Sequence, residues 1–403
     1  MFSLDRFYNI LHSNFIQPLR GQSHYFYPFG TYDRTMFIGA NGFNINRHHI
    51  HHQEPKLGSS IRCYYFDQEP FYNLTPILDR TIKNTADHPT LSRKIHILAN
   101  SEISETKRQY CRDYKMYDWY YFYHGFAALD WYRDFEYAHP AVFDNYQKVF
   151  ICYNHLTSKL RSYRLHLVSN LINQDLVRHG LVSLFLKDDY GTWQDTIRDS
   201  ANPLDPRAVP YIIKALAGRK EPLTIDTDTP VGSLSANVQL DQLTSALWHI
   251  VTETIYYDPK LHLTEKIFKP IVAKRPFILV GAPGNLAYLK RYGFRTFDRW
   301  IDESYDQETD HYIRIEKITA EIQRLCDLGP VLLKQMHKEM LETLDYNYQH
   351  FYNGFKQIIV DEMSDNFEHI LCQYNNGRQP NNHSPYHQRL DLDFPLIKQR
   401  LLR

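Results

Sequence analysis

The residues best suited to chemistry in this chain lie around one loop, between an apolar segment that ends at Glu253 and the triplet Thr264-Glu265-Lys266. A carboxylate can accept two hydrogen bonds from a ribose diol. An ammonium group beside a helix N-terminus can share the negative charge of a diphosphate. A second apolar segment follows the triplet and ends at Gly281. The pattern predicts a nucleotide-sugar site at these residues, and the alternative is an exposed Glu-Lys pair.

A second group of candidate binding residues follows the apolar segment 148–153. Asn154 comes directly after this predicted strand, and Arg161 and Arg164 lie at the start of the helix predicted next. A guanidinium is permanently charged and can meet two phosphate oxygens with two parallel hydrogen bonds. Arg161 and Arg164 are therefore predicted to bind a diphosphate, with Asn154 beside them. The alternative is that they form a solvated basic helix face.

Two acids, Asp67 and Glu69, end an aromatic segment that begins at Arg62 and is stopped by Pro70. Acids at the carboxyl end of a strand in an open sheet face the crevice where ligands bind. A partly buried carboxylate there could act as a general base on a sugar hydroxyl. The alternative is that both acids only cap a turn. His124 follows another predicted strand, and it either contacts an acceptor or turns the chain.

Short apolar segments alternate with longer helical ones along the chain, which predicts an α/β fold. The predicted strands are 62–66, 94–99, 117–123, 148–153, 182–187, 248–254 and 276–281. The predicted helices are 159–179 and 310–326, and the pattern is helical again over 330–373. Pro270 follows the Thr-Glu-Lys triplet closely, so the helix that starts there should be short or kinked.

Composition limits the classes of partner. The 46 basic and 46 acidic residues balance, so net charge gives no sign of long-range attraction to nucleic acid or to an anionic membrane. The five cysteines are an odd number without a CxxC pair, which argues against a fully paired disulfide framework. No segment approaches the roughly 18 uncharged apolar residues of a membrane span, and no signal peptide is evident. We therefore expect a cytoplasmic protein without a membrane anchor.

Taken in order, three segments resemble the alpha-1,3-fucosyltransferase family of glycosyltransferases, whose fold is GT-B, an α/β arrangement of two Rossmann-like domains facing a central cleft. The matching positions are Glu69 after the aromatic strand 62–66, Asn154 and Arg161 after the strand 148–153, and the set Glu253, Thr264, Glu265, Lys266, Pro276 and Gly281. The resemblance implies an inverting transfer from a nucleotide sugar to a hydroxyl acceptor. It also implies that no metal ion is needed at the diphosphate.

The resemblance also implies a role for each matching side chain. Glu265 would bind the donor ribose, and Glu253 the sugar or ribose side of the donor. Lys266 and Arg161 would bind the diphosphate, and Glu69 would deprotonate the acceptor. The implied partners are a nucleoside-diphosphate sugar, with a GDP-linked donor as one option, and a glycan or other hydroxyl acceptor. No cofactor is implied beyond the donor substrate.

The predicted domains are an acceptor-side Rossmann-like domain over 1–145, a donor domain over 146–325, C-terminal helices over 326–375 that can cross back to the first domain, and a polar tail over 376–403. Two other functions stay open. The chain could glycosylate a modified base in DNA, since aromatic-rich clefts also take flipped bases, although neutral net charge does not favour a nucleic-acid partner. It could also be a non-catalytic module that binds a sugar or a nucleotide.

Overall fold

The computed structural model of this 403-residue chain describes residues 7, 10–19, 22–26, 61–67, 70–71, 75, 94–137, 146–225, 236–376 and 392–402. It is a mixed α/β protein with parallel sheets, which confirms the predicted α/β class. The chain divides into two compact units. The first unit comprises residues 1–127 and 356–403, and the second comprises residues 128–355.

The strands within the described residues are β1 (Gln22–Phe26), β2 (Ile61–Asp67), β3 (Lys94–Asn100), β4 (Tyr117–Tyr120), β5 (Lys148–Cys152), β6 (Gly180–Val182), β7 (Lys187–Asp188), β8 (Gly191–Thr192), β9 (Ala246–Thr252) and β10 (Phe277–Val280). The α-helices are α1 (Glu105–Asp113), α2 (Tyr123–Trp131), α3 (Tyr163–Asn173), α4 (Trp193–Arg198), α5 (Val209–Leu216), α6 (Leu240–Thr244), α7 (Phe268–Val272), α8 (Asn285–Arg291), α9 (His311–Asp327), α10 (Gly329–Asn353), α11 (Phe355–Asn375) and α12 (Phe394–Leu402). The remaining helical turns are a π-helix, His12–Ile16, and the 3-10 helices Arg133–Tyr137, Lys159–Arg161, Leu176–His179, Pro206–Ala208, Glu265–Ile267 and Ser304–Gln307.

The first unit is built on a parallel sheet with the strand order β1-β2-β3-β4. Trp119 of β4 is fully buried, and its indole N–H donates to the Met363 carbonyl oxygen of α11 at 3.1 Å. The ring of Phe367, also on α11, lies 4.4 Å from the Trp119 ring. Asn366 donates to the Tyr120 carbonyl oxygen at 3.0 Å. Helix α11 therefore packs against the sheet at β4.

The second unit contains a parallel sheet with the order β10-β9-β5-β6. Every residue of β9 is buried, as expected for a central parallel strand that is covered on both faces. On one face Trp248 packs edge-on against Phe297 with a centroid distance of 5.7 Å. Because all four strands run in the same direction, the carboxyl ends of β5, β9 and β10 meet at one edge. That edge holds the candidate site.

Most predicted strands are confirmed to within two or three residues at their ends. The strand predicted over 182–187 is wrong, because β6 ends at Val182 and the chain then forms the β7–β8 hairpin. The strand predicted over 117–123 is too long, because α2 begins at Tyr123. The helix predicted over 159–179 is divided into a 3-10 turn, α3 and a second 3-10 turn.

The chain around the Thr-Glu-Lys triplet has the short helix that the sequence predicts. Thr264 begins a 3-10 turn, Glu265–Ile267, and α7 adds only five residues, with Pro270 at its third position. Further along, Gly284 joins β10 to α8 with φ +80°, a left-handed conformation that favours glycine. The first turn follows the carboxyl end of β9 and the second follows the carboxyl end of β10.

None of the helices that the structure describes combines the length and the apolar character that a bilayer-crossing segment needs. Residues 138–145 lie outside the described residues, so the predicted domain boundary at 145 stays a prediction. The functions assigned to the two domains also stay predictions.

Candidate functional site

A cavity of about 270 Å³ lies at the carboxyl ends of β5 and β9 in the second unit. Five residues predicted from the sequence line it: Asn154, Arg161, Arg164, Glu265 and Lys266. The other described lining residues are Tyr153, His155, Leu156, Asn237, Gln239, Leu243, His249, Ile250, Val251, Thr252, Thr254 and Lys269. The structure therefore brings together residues that are separated by more than a hundred positions in the chain.

The lining is rich in positive charge. Arg161, Arg164, Lys266 and Lys269 contribute four cations, and Glu265 is the one carboxylate among the lining residues that the structure describes. Lys266 Nζ lies 3.1 Å from Glu265 Oε1 and a third of its side chain is exposed, whereas the Glu265 side chain is buried. An excess of cations in a partly enclosed space favours an anionic ligand, because neighbouring like charges repel one another at low dielectric.

Arg161 and Arg164 differ in what their guanidinium groups can do. Arg161 is half-buried, and its guanidinium forms no hydrogen bond or ion pair within the described part of the chain; only its backbone N–H donates, to the Ser158 carbonyl oxygen at 3.0 Å. Arg164 is buried, and it donates to the carbonyl oxygens of Leu156 at 3.0 Å, Thr252 at 3.0 Å and Glu253 at 3.3 Å. Arg161 is thus available to a ligand, whereas Arg164 connects the chain after β5 to the end of β9 through its hydrogen bonds and contributes positive charge to the lining.

Glu253 holds the triplet loop in place. Its buried carboxylate accepts hydrogen bonds from the Thr264 backbone N–H at 3.3 Å and from the Thr264 hydroxyl at 2.5 Å. Burial raises the pKa of Glu253, while the charge of Lys266 and the Thr264 hydroxyl act in the opposite direction. Thr264 in turn caps the Glu265–Ile267 turn. Glu253 and Thr264 therefore fix the position of Glu265 and Lys266, and neither appears among the lining residues.

Gly281 follows β10 and lies next to Glu253. A Cβ at Gly281 would stand 3.6 Å from Glu253 Cβ, which is ordinary van der Waals contact. Gly281 is not a lining residue. Its predicted part in donor binding stays a prediction.

Asn154 is positioned by Ser183, the residue after β6. Its backbone N–H donates to Ser183 Oγ at 2.8 Å, and its side-chain Nδ2 donates to the Ser183 carbonyl oxygen at 3.1 Å. The Oδ1 atom is enclosed and has no hydrogen-bond partner among the residues the structure describes. These contacts fix the turn that follows β5 and forms part of the cavity wall.

Two aspartates occupy backbone N–H groups near the sheet edge: Asp188, which gives no signal in the sequence, and Asp306, which belongs to the acidic segment 302–306. Asp188 accepts from the N–H groups of Thr157 at 2.8 Å and Ser158 at 3.1 Å, in the loop before α3. Asp306 accepts from the Leu286 N–H at 3.0 Å, at the start of α8. Because these donors already bind protein carboxylates, an anion in the cavity would rely on side chains more than the sequence analysis assumes.

His249 and Tyr153 are lining residues that sequence reasoning also missed. His249 lies inside the apolar segment of β9 and is buried. Burial, with the charge of Lys269 as a second cause, lowers the pKa of His249 to about 3. A lone histidine in an apolar strand gives no local signal, and only the fold shows that it faces a cavity.

The first unit contains the predicted base and acceptor-side residues. Glu69 lies outside the described residues, and Asp67 ends β2 with its side chain outside the description. His124 is buried in α2, with its ring edge-on to the Tyr123 ring at 5.3 Å. The roles proposed for Glu69, Asp67 and His124 stay predictions. Across the described residues, no group of three or more His, Cys, Asp or Glu side chains is placed to hold a metal ion.

No protein-family model matches this sequence. A search of curated proteins also gives no match. Among solved structures, the chain is similar to T4 phage BGT in complex with its UDP-glucose substrate. The two chains are 11% identical, the similarity covers 74% of each, and the TM-score is 0.34. A TM-score this low supports neither a fold nor a function for this chain.

Proposed function

We propose that the chain is a glycosyltransferase whose second unit binds the diphosphate of a nucleotide-sugar donor in the cavity at the ends of β5 and β9. The observation that carries the proposal is the convergence of Arg161, Lys266 and Lys269 on one cavity, with Glu265 among them. Ligands of open α/β sheets bind outside the carboxyl ends of the strands. In a nucleotide the diphosphate would contact the cations, and the ribose hydroxyls would contact the single carboxylate.

The cations suit the departure of a nucleoside diphosphate. This leaving group gains negative charge as the bond to the sugar breaks, so fixed cations stabilise the transition state more than the ground state. Arg161 can donate two parallel hydrogen bonds to phosphate oxygens. Lys266 is held beside Glu265, whose carboxylate is proposed to accept from the ribose hydroxyls. Metal independence belongs to the proposal because side chains would supply the charge that a metal ion supplies elsewhere.

The remaining parts of the proposal rest on the resemblance to the alpha-1,3-fucosyltransferases. They are a GT-B arrangement, an inverting transfer, Glu69 as the base and a hydroxyl acceptor such as a glycan. The balanced net charge supports a glycan over DNA as the acceptor, because DNA binding usually relies on an excess of basic residues. A non-catalytic module would bind the donor but would never release a nucleoside diphosphate.

The experiment is a thermal-stability screen of the full chain with UDP-, GDP-, ADP- and CMP-linked sugars. A ligand bound only by the folded state adds about 2.7 kcal/mol of stability at a hundred times its Kd. We expect at least one nucleoside-diphosphate sugar to raise Tm in a concentration-dependent way. If no member of the panel does so, the proposed function is wrong.

Matched arginine variants then locate the site. Arg161→Ala should weaken the binding of the stabilising ligand about 10- to 100-fold, since a hydrogen bond to a charged group contributes about 1.5–3 kcal/mol. Arg198→Ala is the control, because Arg198 is an exposed arginine of the same unit and lies outside the lining. Equal affinities for these two variants in calorimetry would place the ligand elsewhere.

A further inference from the structure

We propose that the inner end of the cavity is a nucleobase subsite, and that His249 selects bases with a keto group, uracil or guanine, by donating a hydrogen bond from Nε2 to that oxygen. This inference rests on the proposed function, because it assigns the base of the same nucleotide. It adds a specificity-determining residue that the sequence analysis did not identify. It predicts that the cavity binds uracil more tightly than cytosine, or guanine more tightly than adenine, because the first base of each pair carries a carbonyl group where the second carries an amino group.

The position of His249 defines the inner end of the cavity. It pairs with Ile151 of β5 and with Phe277 of β10, so it belongs to a central strand. It precedes Thr252, the last residue of β9, by three positions, or roughly 10 Å at about 3.3 Å per residue. The lining continues past the strand end to Thr254. The cavity therefore extends from the sheet edge down the face of β9 to His249.

The wall beside His249 is aromatic and fixed. The Tyr153 ring meets the His249 ring at an interplanar angle of 74° with centroids 5.7 Å apart. The Tyr153 hydroxyl donates to Gln242 Oε1 at 2.9 Å, and Gln242 Nε2 donates to the Ile225 carbonyl oxygen at 3.2 Å. Leu243 and Val251, which is two residues after His249 on the same face of β9, add apolar surface. A planar heterocycle can pack against such a wall, since ligand pockets are mostly apolar with a few placed polar groups.

The environment of the ring determines which nitrogen carries the proton. His249 is 4% exposed, and its Nδ1 is enclosed with no hydrogen-bond partner among the described residues. A proton on Nδ1 would bury an N–H without an acceptor, which costs about 1–3 kcal/mol. Because burial keeps the pKa of His249 near 3, the ring is neutral at pH 7 and carries one proton. We therefore infer that the proton is on Nε2.

A neutral Nε2–H donor discriminates between bases by their exocyclic groups. Uracil and guanine carry a carbonyl oxygen, an acceptor, where cytosine and adenine carry an amino group, a donor. A donor facing an amino group forms no hydrogen bond and leaves both groups without a partner. Sites built to hydrogen-bond a ligand reject analogues that lack the matching group. Comparing the affinity for UDP with that for CDP, or for GDP with that for ADP, therefore tests the hydrogen bond from His249 to the base.

Calorimetry of the full chain with UDP, CDP, GDP and ADP tests the inference without any variant. We expect UDP to bind about tenfold more tightly than CDP, or GDP about tenfold more tightly than ADP, according to which ring size the subsite takes. Diphosphates that bind with equal affinity within each pair would overturn the inference and leave the proposed function standing. If none of the four binds, both proposals are wrong.

Two variants separate a hydrogen bond from a packing role. His249→Phe keeps a ring without a donor and should bring the keto-to-amino ratio close to one. His249→Gln retains an N–H at the place of Nε2 and should keep most of the preference. A packing role would lower the affinity of both members of a pair equally, and an unchanged ratio in His249→Phe would refute the assignment. Nitrogen NMR of the wild-type ring checks the tautomer independently, and a proton on Nδ1 would also refute it.

Discussion

The two units each contain a four-stranded parallel sheet, but they differ in whether the charged side chains that line their cavities are paired with opposite charges. In the first unit, the buried Lys107 lies 2.9 Å from Asp118, and both line a cavity of about 190 Å³. The buried Glu102 accepts from the Phe71 N–H at 2.5 Å and from the Ser104 hydroxyl. In the second unit, four cations and a single carboxylate line the larger cavity within the described residues.

This contrast separates charges that stabilise the fold from charges available to a ligand. Removing a charge from water costs several kcal/mol unless a partner compensates for it. Lys107 has that partner within its own unit. Arg161, for which the described chain provides no ion pair, keeps its charge in a half-buried position. A cation kept in this way is a candidate for ligand binding, because clefts with uncompensated charge concentrate oppositely charged ligands.

The largest expected effect is on the first unit. Asp118→Asn removes the partner of the buried Lys107, so the free energy of unfolding should fall by about 3–5 kcal/mol. Nucleotide affinity should not change, because Asp118 belongs to the other unit. Urea unfolding and calorimetry measure the two quantities. Asp113→Asn is the control, since Asp113 is an exposed aspartate at the end of α1. A stability loss no greater than that of the control would remove the contrast between the units.

A smaller effect should appear as acid sensitivity of the second unit. The folded pKa of His249 is about 3, against 6.5 without burial. In the unfolded chain His249 therefore becomes protonated below pH 6.5, whereas in the folded chain it stays neutral until about pH 3. The free energy of unfolding consequently falls as pH decreases from 6.5 to 3. Above pH 6.5 His249 is neutral in both states, so it does not lower the free energy of unfolding. At pH 5 the loss from this one group is about 2 kcal/mol.

The measurement is the change in unfolding free energy between pH 7 and pH 5 for wild type and for His249→Phe. The variant should lack about 2 kcal/mol of the acid-induced loss. His369→Phe, at an exposed histidine of α11 in the first unit, should behave as wild type. If all three proteins lose the same stability, His249 is not held neutral by the fold.

The smallest effect should come from a cation of the second unit that does have a partner at the surface. Lys274 Nζ lies 2.7 Å from Asp345, whose side chain is 58% exposed. Asp345→Asn should lower the unfolding free energy by less than about 1 kcal/mol, because solvent screens exposed pairs. It should leave nucleotide affinity unchanged. A tenfold loss of affinity would show that nucleotide binding responds to charge anywhere in the unit rather than to the lining cations.

The sequence predicts part of the site because parallel strands end at a common edge. The apolar segments before Asn154 and Glu253 are confirmed as strands, and the residues that follow them lie at one edge. The short helix after Thr264 also follows from local chemistry, since Pro270 limits its length. These features depend on neighbours in the sequence, which is why they could be predicted.

The rest of the site depends on contacts between distant parts of the chain. Asp188 binds the loop at Ser158 only because the β7–β8 hairpin returns to it, and the sequence analysis predicted no hairpin after the strand over 182–187. His249 faces the cavity because of the register of β9 between its neighbours. Glu253 looks like a ligand residue in the sequence, but its carboxylate is used to hold Thr264. No local pattern distinguishes these outcomes.

The central claim is that the cations of the second unit bind a diphosphate, and the most direct test is the affinity advantage of a nucleoside diphosphate over its own nucleoside. Calorimetry should give this ratio for wild type and for the double variant Arg161→Ala with Lys266→Ala. We predict that the wild type binds the diphosphate at least about 100-fold more tightly than the nucleoside, and that the advantage falls to about tenfold or less in the double variant. An advantage that survives both substitutions, or that is absent from the wild type, would contradict the account.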